Sequence, residues 1–287
     1  AMPHPDLTVV GNVGDDVEVL GLHVSPDLDS ILYALAGVGD EERGWGRAAE
    51  TWNALETAAA LGGESWFRLG DRDLGLHLVR TTALRAGEPL AAVTARLAAS
   101  FGLETNVVPA TDDALRTWVE TPAGDFPFQH WYVARGHRDD VTAVRYEGAD
   151  RAGAAPGVTE ALEAADLVVI APSNPYLSIG PILAVREVRA ALEQRTAPSV
   201  AISPLIGGQT VKGPADRMLR RFAGGTSPRH VAGCYEGLID ALVLDEADAG
   251  EAEALQVRPI VAATLMSDAE ARRRLAEVVL DAAVVAK

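Results

Sequence analysis

Two short segments near the start of the chain concentrate aspartates: Asn12-Val13-Gly14-Asp15-Asp16, and Ser25-Pro26-Asp27-Leu28-Asp29. Hard carboxylate oxygens in loops of this kind suit magnesium. That ion takes one or two carboxylates and completes its shell with water and substrate phosphate oxygens. Asp27 stands just before the helical pattern Leu28–Ala36, and for it the role of helix cap is favoured. Asp15 and Asp29 are therefore the candidates for metal contact. Two later loops could handle phosphate. Ala171-Pro172-Ser173-Asn174-Pro175 runs to Ser178-Ile179-Gly180-Pro181, and Pro181 suits the first turn of a helix because it brings no N–H that would go unpaired. Free N–H groups and the positive helix end would then face an anion, with Ser173, Asn174 and Ser178 as neutral donors. The ordinary alternative is a capped helix after a turn. Ser203-Pro204-Leu205-Ile206-Gly207-Gly208 offers close backbone approach at Gly207 and Gly208, and Lys212 adds a point charge, although read alone it is a turn.

Arg68-Leu69-Gly70-Asp71-Arg72-Asp73 opens a helical pattern containing His77 and Arg80. Asp71 or Asp73 could cap that helix, His77 is spaced to pair with Asp73, and Arg68 could reach a polar ligand. Trp45, Trp52, Trp66, Trp131 and Tyr132 are core or interface candidates, with stacking on a ring system as the alternative. The chain contains no Ser-His-Asp order, HExxH, P-loop or GxGxxG run, so dinucleotide binding has no support.

The elements that must position these residues read as alternating strands and helices. Leu7–Val10, Leu167–Ile170, Val200–Ser203 and Leu242–Leu244 are apolar runs without alternation, the mark of strands buried on both faces. Helical patterns cover Pro181–Glu193, Pro214–Phe222 and Asp268–Val285. This alternation predicts a doubly wound, Rossmann-like parallel sheet, whose loops after strands gather along one edge. Thr51–Leu61, Leu74–Arg85 and Pro89–Ser100 carry helical spacing, which predicts a helical insertion over 41–101 in a nucleotide-binding domain of 1–40 and 102–287. Thr117–Glu120 and Phe128–Val133 flank Pro122-Ala123-Gly124-Asp125 as a β-hairpin, and Gly148–Gly157 reads as a surface connection.

The formal charge of −16 over 287 residues repels nucleic acid and anionic lipid. It also leaves few bases for phosphates, so a divalent metal or helix dipoles must do part of that work. The single cysteine, Cys234, excludes an internal disulfide and a cysteine-rich metal site, and reads as a small buried hydrophobe. No apolar run approaches the roughly 20 residues of a membrane span. Ala1-Met2-Pro3-His4-Pro5 lacks the regions of a signal peptide, so the expected location is cytoplasmic. A homodimer is compatible with the sequence but not specified by it.

Asn12–Asp16, Ser25–Ser30, Glu42-Arg43-Gly44-Trp45-Gly46, Leu69–Asp73, Ala171–Pro175 with Ser178–Pro181, and Ser203–Gly207 together resemble, in order, the 2-phospho-L-lactate transferase family of coenzyme F420 biosynthesis. The resemblance spans nearly the whole chain. It implies a guanosine diphosphate-linked phospholactate or phosphoenolpyruvate donor, the deazaflavin alcohol Fo as acceptor, magnesium, and release of GMP. It assigns Asp29 and Arg68 to Fo, Asp15 to the metal, and the Asn174–Pro181 loop to the guanosine diphosphate side. Asp29 would orient or deprotonate the attacking hydroxyl, and Asp29→Asn would leave stability within about 1 kcal/mol. The stretch around Arg43–Trp52 is most similar to actinobacterial members, which favour the phosphoenolpyruvyl donor. Family members open with a strand and Gly-rich loop before the segment matching Leu7–Val10, and a native chain carrying both is expected. A rival from another class is a nucleotide-sugar-binding regulatory protein on the same fold without turnover.

Overall fold

In the computed structural model residues 7–284 are described; the stretch Ala1–Pro5 read for a signal peptide, and Val285 at the end of the last expected helix, lie outside them. The chain forms two compact units, one made of residues up to Val158 together with Pro181–Arg186, the other of Thr159–Gly180 and the residues from Glu187 onward.

In the first unit, β1 (Thr8–Gly11) pairs in parallel with β4 (Asn106–Pro109), Thr8 opposite Asn106. Three of the four β1 residues are half-buried, so β1 is less enclosed than its apolar sequence implies. Between them come the hairpin β2 (Val17–Val19) and β3 (Leu22–Val24), then helices α1 (Pro26–Leu35), α2 (Asn53–Ala60), α3 (Asp71–Arg85) and α4 (Leu90–Ser100). The three helices expected between 41 and 101 are all present. They belong to the same unit as β1, and α3 and α4 pack on β3 and β4.

An antiparallel sheet follows, with β5 (Arg116–Thr121) between β6 (Gly124–Pro127) and β7 (Ala143–Glu147). The expected hairpin is correct in its first strand and turn but not in its second. Phe128–Val133 is not a strand: its centre winds into a π-helical turn over His130–Ala134, where Trp131 is wholly buried and its ring packs near Phe128 and Tyr132. The connection after β7 is partly buried through Ala152 and Ala155.

The second unit is built on a four-stranded parallel sheet in the order β13-β12-β9-β8: β8 (Val168–Ile170), β9 (Ser199–Ile202), β12 (Ala241–Asp245) and β13 (Arg258–Ala262). Every residue of β9 and β12 is buried, so both faces are covered, as their unbroken apolar runs predict. Leu275, Val279 and Ala282 of α10 (Ala269–Val284) close one face over Val200, Ile202, Ala241 and Val243. The other elements of this unit are helices α5 (Val158–Ala164), α7 (Arg186–Gln194), α8 (Ala215–Phe222) and α9 (Pro228–Gly233), and the hairpin β10 (Leu205–Ile206) with β11 (Gln209–Thr210), while α6 (Gly180–Ala184) belongs, from Pro181 on, to the first unit. The architecture is mixed α/β with parallel sheets.

Pro181 is not the first helical residue. Chain turning begins at Pro175, in a π-helical turn over Pro175–Ile179 that runs into α6. Asn174 caps that turn, its side-chain oxygen accepting from the N–H groups of Tyr176 (2.9 Å) and Leu177 (3.2 Å). Pro175 therefore fills the donor-free first position assigned above to Pro181.

Candidate functional site

The acidic loop sits at the C-terminal end of β1. It is pinned at Gly14, whose N–H donates to Asn12 Oδ1 (2.7 Å) and whose carbonyl accepts from Thr117 N–H (2.8 Å). A Cβ at Gly14 would stand 2.5 Å from Thr117 Oγ1 and 2.8 Å from the Pro181 Cβ, so this position admits only glycine. The tight seat forces Asp15 and Asp16 inward, and both are buried. Asp27 does not cap α1, whose cap position is Ser25; it accepts instead from Asn12 Nδ2 (2.9 Å).

Burial drives the Asp15 carboxyl well above the ordinary carboxylate range, and the negative charges of Asp27 and Asp16 add to it. Burial likewise raises Asp27 to about 6. Asp16 is held through one oxygen, which contacts His23 Nε2 (2.8 Å) and accepts from Ser25 Oγ (3.0 Å). One oxygen each of Asp15 and Asp16 is buried with no hydrogen-bond partner.

Asp29, in the first turn of α1, is 5 % exposed and is gripped from α3. Arg80, wholly buried, donates from Nη1 to one Asp29 oxygen (3.0 Å) and from Nη2 to the other. His77 Nδ1 stands 3.4 Å from Arg80 Nη1 and 3.7 Å from Asp29. Burial pushes the His77 pKa down to about 4, so at neutral pH the ring is uncharged. The expected local pair of His77 with Asp73 is not formed. Asp73 accepts from Tyr33 OH (2.8 Å), and its burial raises its pKa.

The cap assigned to Asp71 or Asp73 is likewise placed elsewhere. Glu50 accepts from the N–H groups of Arg72 (2.8 Å) and Asp73 (3.1 Å) at the start of α3. Asp71 accepts from Asn53 and Ala54 N–H at the start of α2, and from Thr51 Oγ1 (2.6 Å). These bonds lower the Asp71 pKa to about 2. The two helix starts thus cap each other. Arg68, two residues before the α3 cap, is exposed and lies 4.4 Å over the Trp52 ring.

In the second unit the predicted loop at Asn174 packs against helix α8. Asn174 Nδ2 points to Met218 Sδ of α8 (3.4 Å), and Tyr176 packs edge-on against Phe222, with ring centroids 5.0 Å apart. Ser173 and Ser178 lie half-buried beside this contact, and Gly180 begins α6. Gly207 and Gly208 (φ 58° and 71°) form the two-residue turn of the β10–β11 hairpin, a left-handed pair that glycine adopts without strain. The Gly207 N–H already donates to Asp248 (3.0 Å). Lys212 is exposed on the turn that precedes α8.

Among the described residues, no three or more His, Cys, Asp or Glu side chains are grouped to hold a metal unaided. Magnesium needs no such cage, because water and substrate oxygens fill most of its shell. Two buried carboxylate oxygens without partners fit that requirement. Sequence reasoning missed Arg80, Glu50, His23 and Tyr33 as parts of this arrangement. The contacts of Arg80, Glu50 and Tyr33 lie 22 to 51 residues away, and no local spacing announces them.

Parallel strands whose C-terminal loops carry buried carboxylates and capped turns define an α/β protein of the class that binds ligands at its strand ends. The chain belongs to the 2-phospho-L-lactate transferase CofD family, whose profile matches residues 3–284. It is thus a transferase, of the family of coenzyme F420 biosynthesis to which its motifs point. A phosphoenolpyruvate transferase of Streptomyces griseus is 41% identical over 292 residues, covering 99% of this chain and 92% of the relative. A phosphoenolpyruvate transferase of Mycolicibacterium smegmatis is 39% identical, covering 98% and 89%. A crystal structure of a UPF0052-family protein from Bacillus halodurans shares the fold, with a TM-score of 0.62 at 18% identity over 95% of this chain and 91% of that one. No helix among the described residues is long and apolar enough to cross a membrane.

Proposed function

We propose that this transferase moves a phosphoenolpyruvyl group from a guanosine diphosphate-linked donor to the deazaflavin alcohol Fo, releasing GMP. The 2-phospholactyl donor is the alternative within the same chemistry. The observation that carries the reading is the buried acidic loop, where Asp15 and Asp16 each keep one unpartnered oxygen. Such a site is costly unless a cation completes it. The names borne by the relatives favour the phosphoenolpyruvyl donor.

In this reading the terminal ribityl hydroxyl of Fo forms a bond to the phosphorus bearing the three-carbon acid. The bond from that phosphorus to the GMP phosphate breaks, and the hydroxyl proton leaves to a nearby base or water. Asp29 orients the hydroxyl, its carboxylate held in one rotamer by Arg80. Asp15, with the unpartnered oxygen of Asp16 beside it, would hold magnesium, which when bound offsets charge on the diphosphate. Asp29 spends both oxygens on Arg80, so its proposed part lies with the acceptor rather than the ion. Ser173, Ser178, Gly180 and Lys212 are the proposed donors to the guanosine diphosphate side. Asn174 shapes that loop, because its side-chain oxygen is committed to the cap. Gly207 serves through the turn it makes possible.

The deciding experiment incubates the protein with Fo, magnesium and each guanylyl-linked donor, followed by mass analysis. Phosphoenolpyruvyl-Fo and GMP are expected, and excess chelator should stop their formation. Binding of guanosine diphosphate with no product from either donor would favour a nucleotide-binding protein without turnover. Full activity in chelator would remove magnesium from the mechanism.

A further inference from the structure

Asp16 carries its hydrogen bonds on one side only. Its Oδ2 contacts both His23 Nε2 (2.8 Å) and Ser25 Oγ (3.0 Å), while its Oδ1 is buried with no partner. Sharing the two donors between the two oxygens would satisfy both, and an oxygen buried without a donor is costly unless something else reaches it. Asp15 shows the same asymmetry: the Asn12 side chain bonds its carboxyl, yet its Oδ1 is bare as well.

His23 is brought to Asp16 by a braced turn. It lies on β3 opposite Glu18 of β2, in a hairpin closed by Leu20 and Gly21. Both turn residues are left-handed, at φ 51° and 71°. That geometry suits the twist of a two-residue hairpin, but a leucine is strained in it. The turn is held from outside, because Leu20 N–H donates to Glu64 Oε1 (2.9 Å) and Arg85 Nη2 donates to the Gly21 carbonyl (2.8 Å). Leu20 also packs on the cluster of Val19, Val24 and Leu69. His23 N–H donates to Thr81 Oγ1 (2.8 Å), the residue after the Arg80 that grips Asp29. Side chains alternate along a strand, so a slip of one residue would turn His23 away from Asp16.

We propose that His23 is a positioning residue of the cation site. With Ser25 it holds Asp16 by one oxygen, so that Oδ1 is kept for a divalent cation shared with Oδ1 of Asp15. The ring does not ligate the ion, because its Nε2 is spent on Asp16. Partners that fix a ligating carboxylate in this way set its orientation and hence the affinity of the site. The inference rests on the magnesium of the proposed function and adds the residue that aims its ligand.

The probe is Mn2+, with the free ion counted by its electron paramagnetic resonance signal, in the presence and absence of guanosine diphosphate. Wild type should bind the ion, and Asp16→Asn should lose it. His23→Leu should weaken binding about 10- to 100-fold. His23→Gln, whose amide N–H can reach the same oxygen, should return it to within about threefold of wild type. The double variant His23→Leu with Ser25→Ala should lose nearly as much as Asp16→Asn. Thermal unfolding of each variant separates a lost ion from a lost fold. A folded His23→Leu that binds Mn2+ as wild type does would overturn the proposal, and so would His23→Gln binding no better than His23→Leu. Electron spin echo modulation of Mn2+ bound to wild type needs no variant. It should show no directly bound nitrogen, and an imidazole coupling would make a histidine a ligand and overturn the positioning role. A wild type that binds no Mn2+ in either condition would remove the magnesium of the proposed function and this role together. Wild-type binding with indifferent His23 variants would remove this role alone.

Discussion

The two units handle buried polarity in opposite ways. In the parallel-sheet unit, the loops at the strand ends are self-contained. Asn174 caps its own turn, Asp248 takes the Gly207 N–H, and Asp245 accepts from Ala247 N–H (3.0 Å) and from Thr264 N–H and Oγ1 (both 2.8 Å). In the unit carrying the acidic loop, charges are buried in a connected group. Asp29, Arg80 and His77 lie together, Tyr33 meets Asp73, and Asp15 and Asp16 keep oxygens with no partner. Local caps are optimised turn by turn for stability. A buried charge group whose parts come from distant segments is costly by itself and implies a use.

Breaking the charged group should produce the largest effect. Arg80→Met leaves the Asp29 carboxylate buried and unpaired, which should cost about 3–5 kcal/mol in chemical denaturation. Asp29→Asn should also cost several kcal/mol, so the expectation of a change within about 1 kcal/mol does not survive the buried pair. The double variant Arg80→Met with Asp29→Asn should recover a large part of the loss. Additive losses would show that the two residues are not coupled.

Acid should probe the same unit next. The His77 pKa is depressed in the fold to about 4 from 6.5, mainly by burial. The unfolded chain takes up a proton first, so the stability linked to His77 is intact above about 6.5 and is lost as pH falls toward about 4. The loss should be on the order of 2–3 kcal/mol for a ring this buried. Comparing denaturation at pH 7 and pH 4.5 for wild type and His77→Gln checks the sign. A variant with the same acid slope as wild type would assign the loss to other groups.

Cutting the self-contained caps should do less. Asn174→Ala removes a side-chain cap and should cost about 1 kcal/mol. Its effect on guanosine diphosphate affinity should exceed what that loss of stability explains if the turn shapes the donor site. Of similar size, Gly207→Ala places a Cβ on a residue at φ 58° and should cost roughly 1 kcal/mol, as read from thermal unfolding. A loss of 3 kcal/mol or more at either position would erase the contrast between the units.

Much of the scaffold was legible because its signals are local. Unbroken apolar runs announced β9 and β12, and apolar spacing announced α3, α4, α8 and α10. Where the reading failed, a local signal competed with a longer-range one. Phe128–Val133 has strand-like composition, but the place it fills for Trp131 favours a wound turn. Pro181 has the signature of a helix start, but Pro175 with its Asn174 cap, six residues earlier in the segment read as a phosphate loop, starts the turn instead.

By itself, the sequence determined the acidic balance, the family, and the loops that carry reactive residues, because composition, motif order and short-range periodicity are properties of the chain alone. The tertiary structure decided which carboxylates are unpartnered, which arginine grips Asp29, and which lies over Trp52. Those outcomes depend on burial and on contacts between residues as far apart as Asp29 and Arg80. Only folding strips water from these groups and makes each depend on a partner that sequence spacing does not reveal.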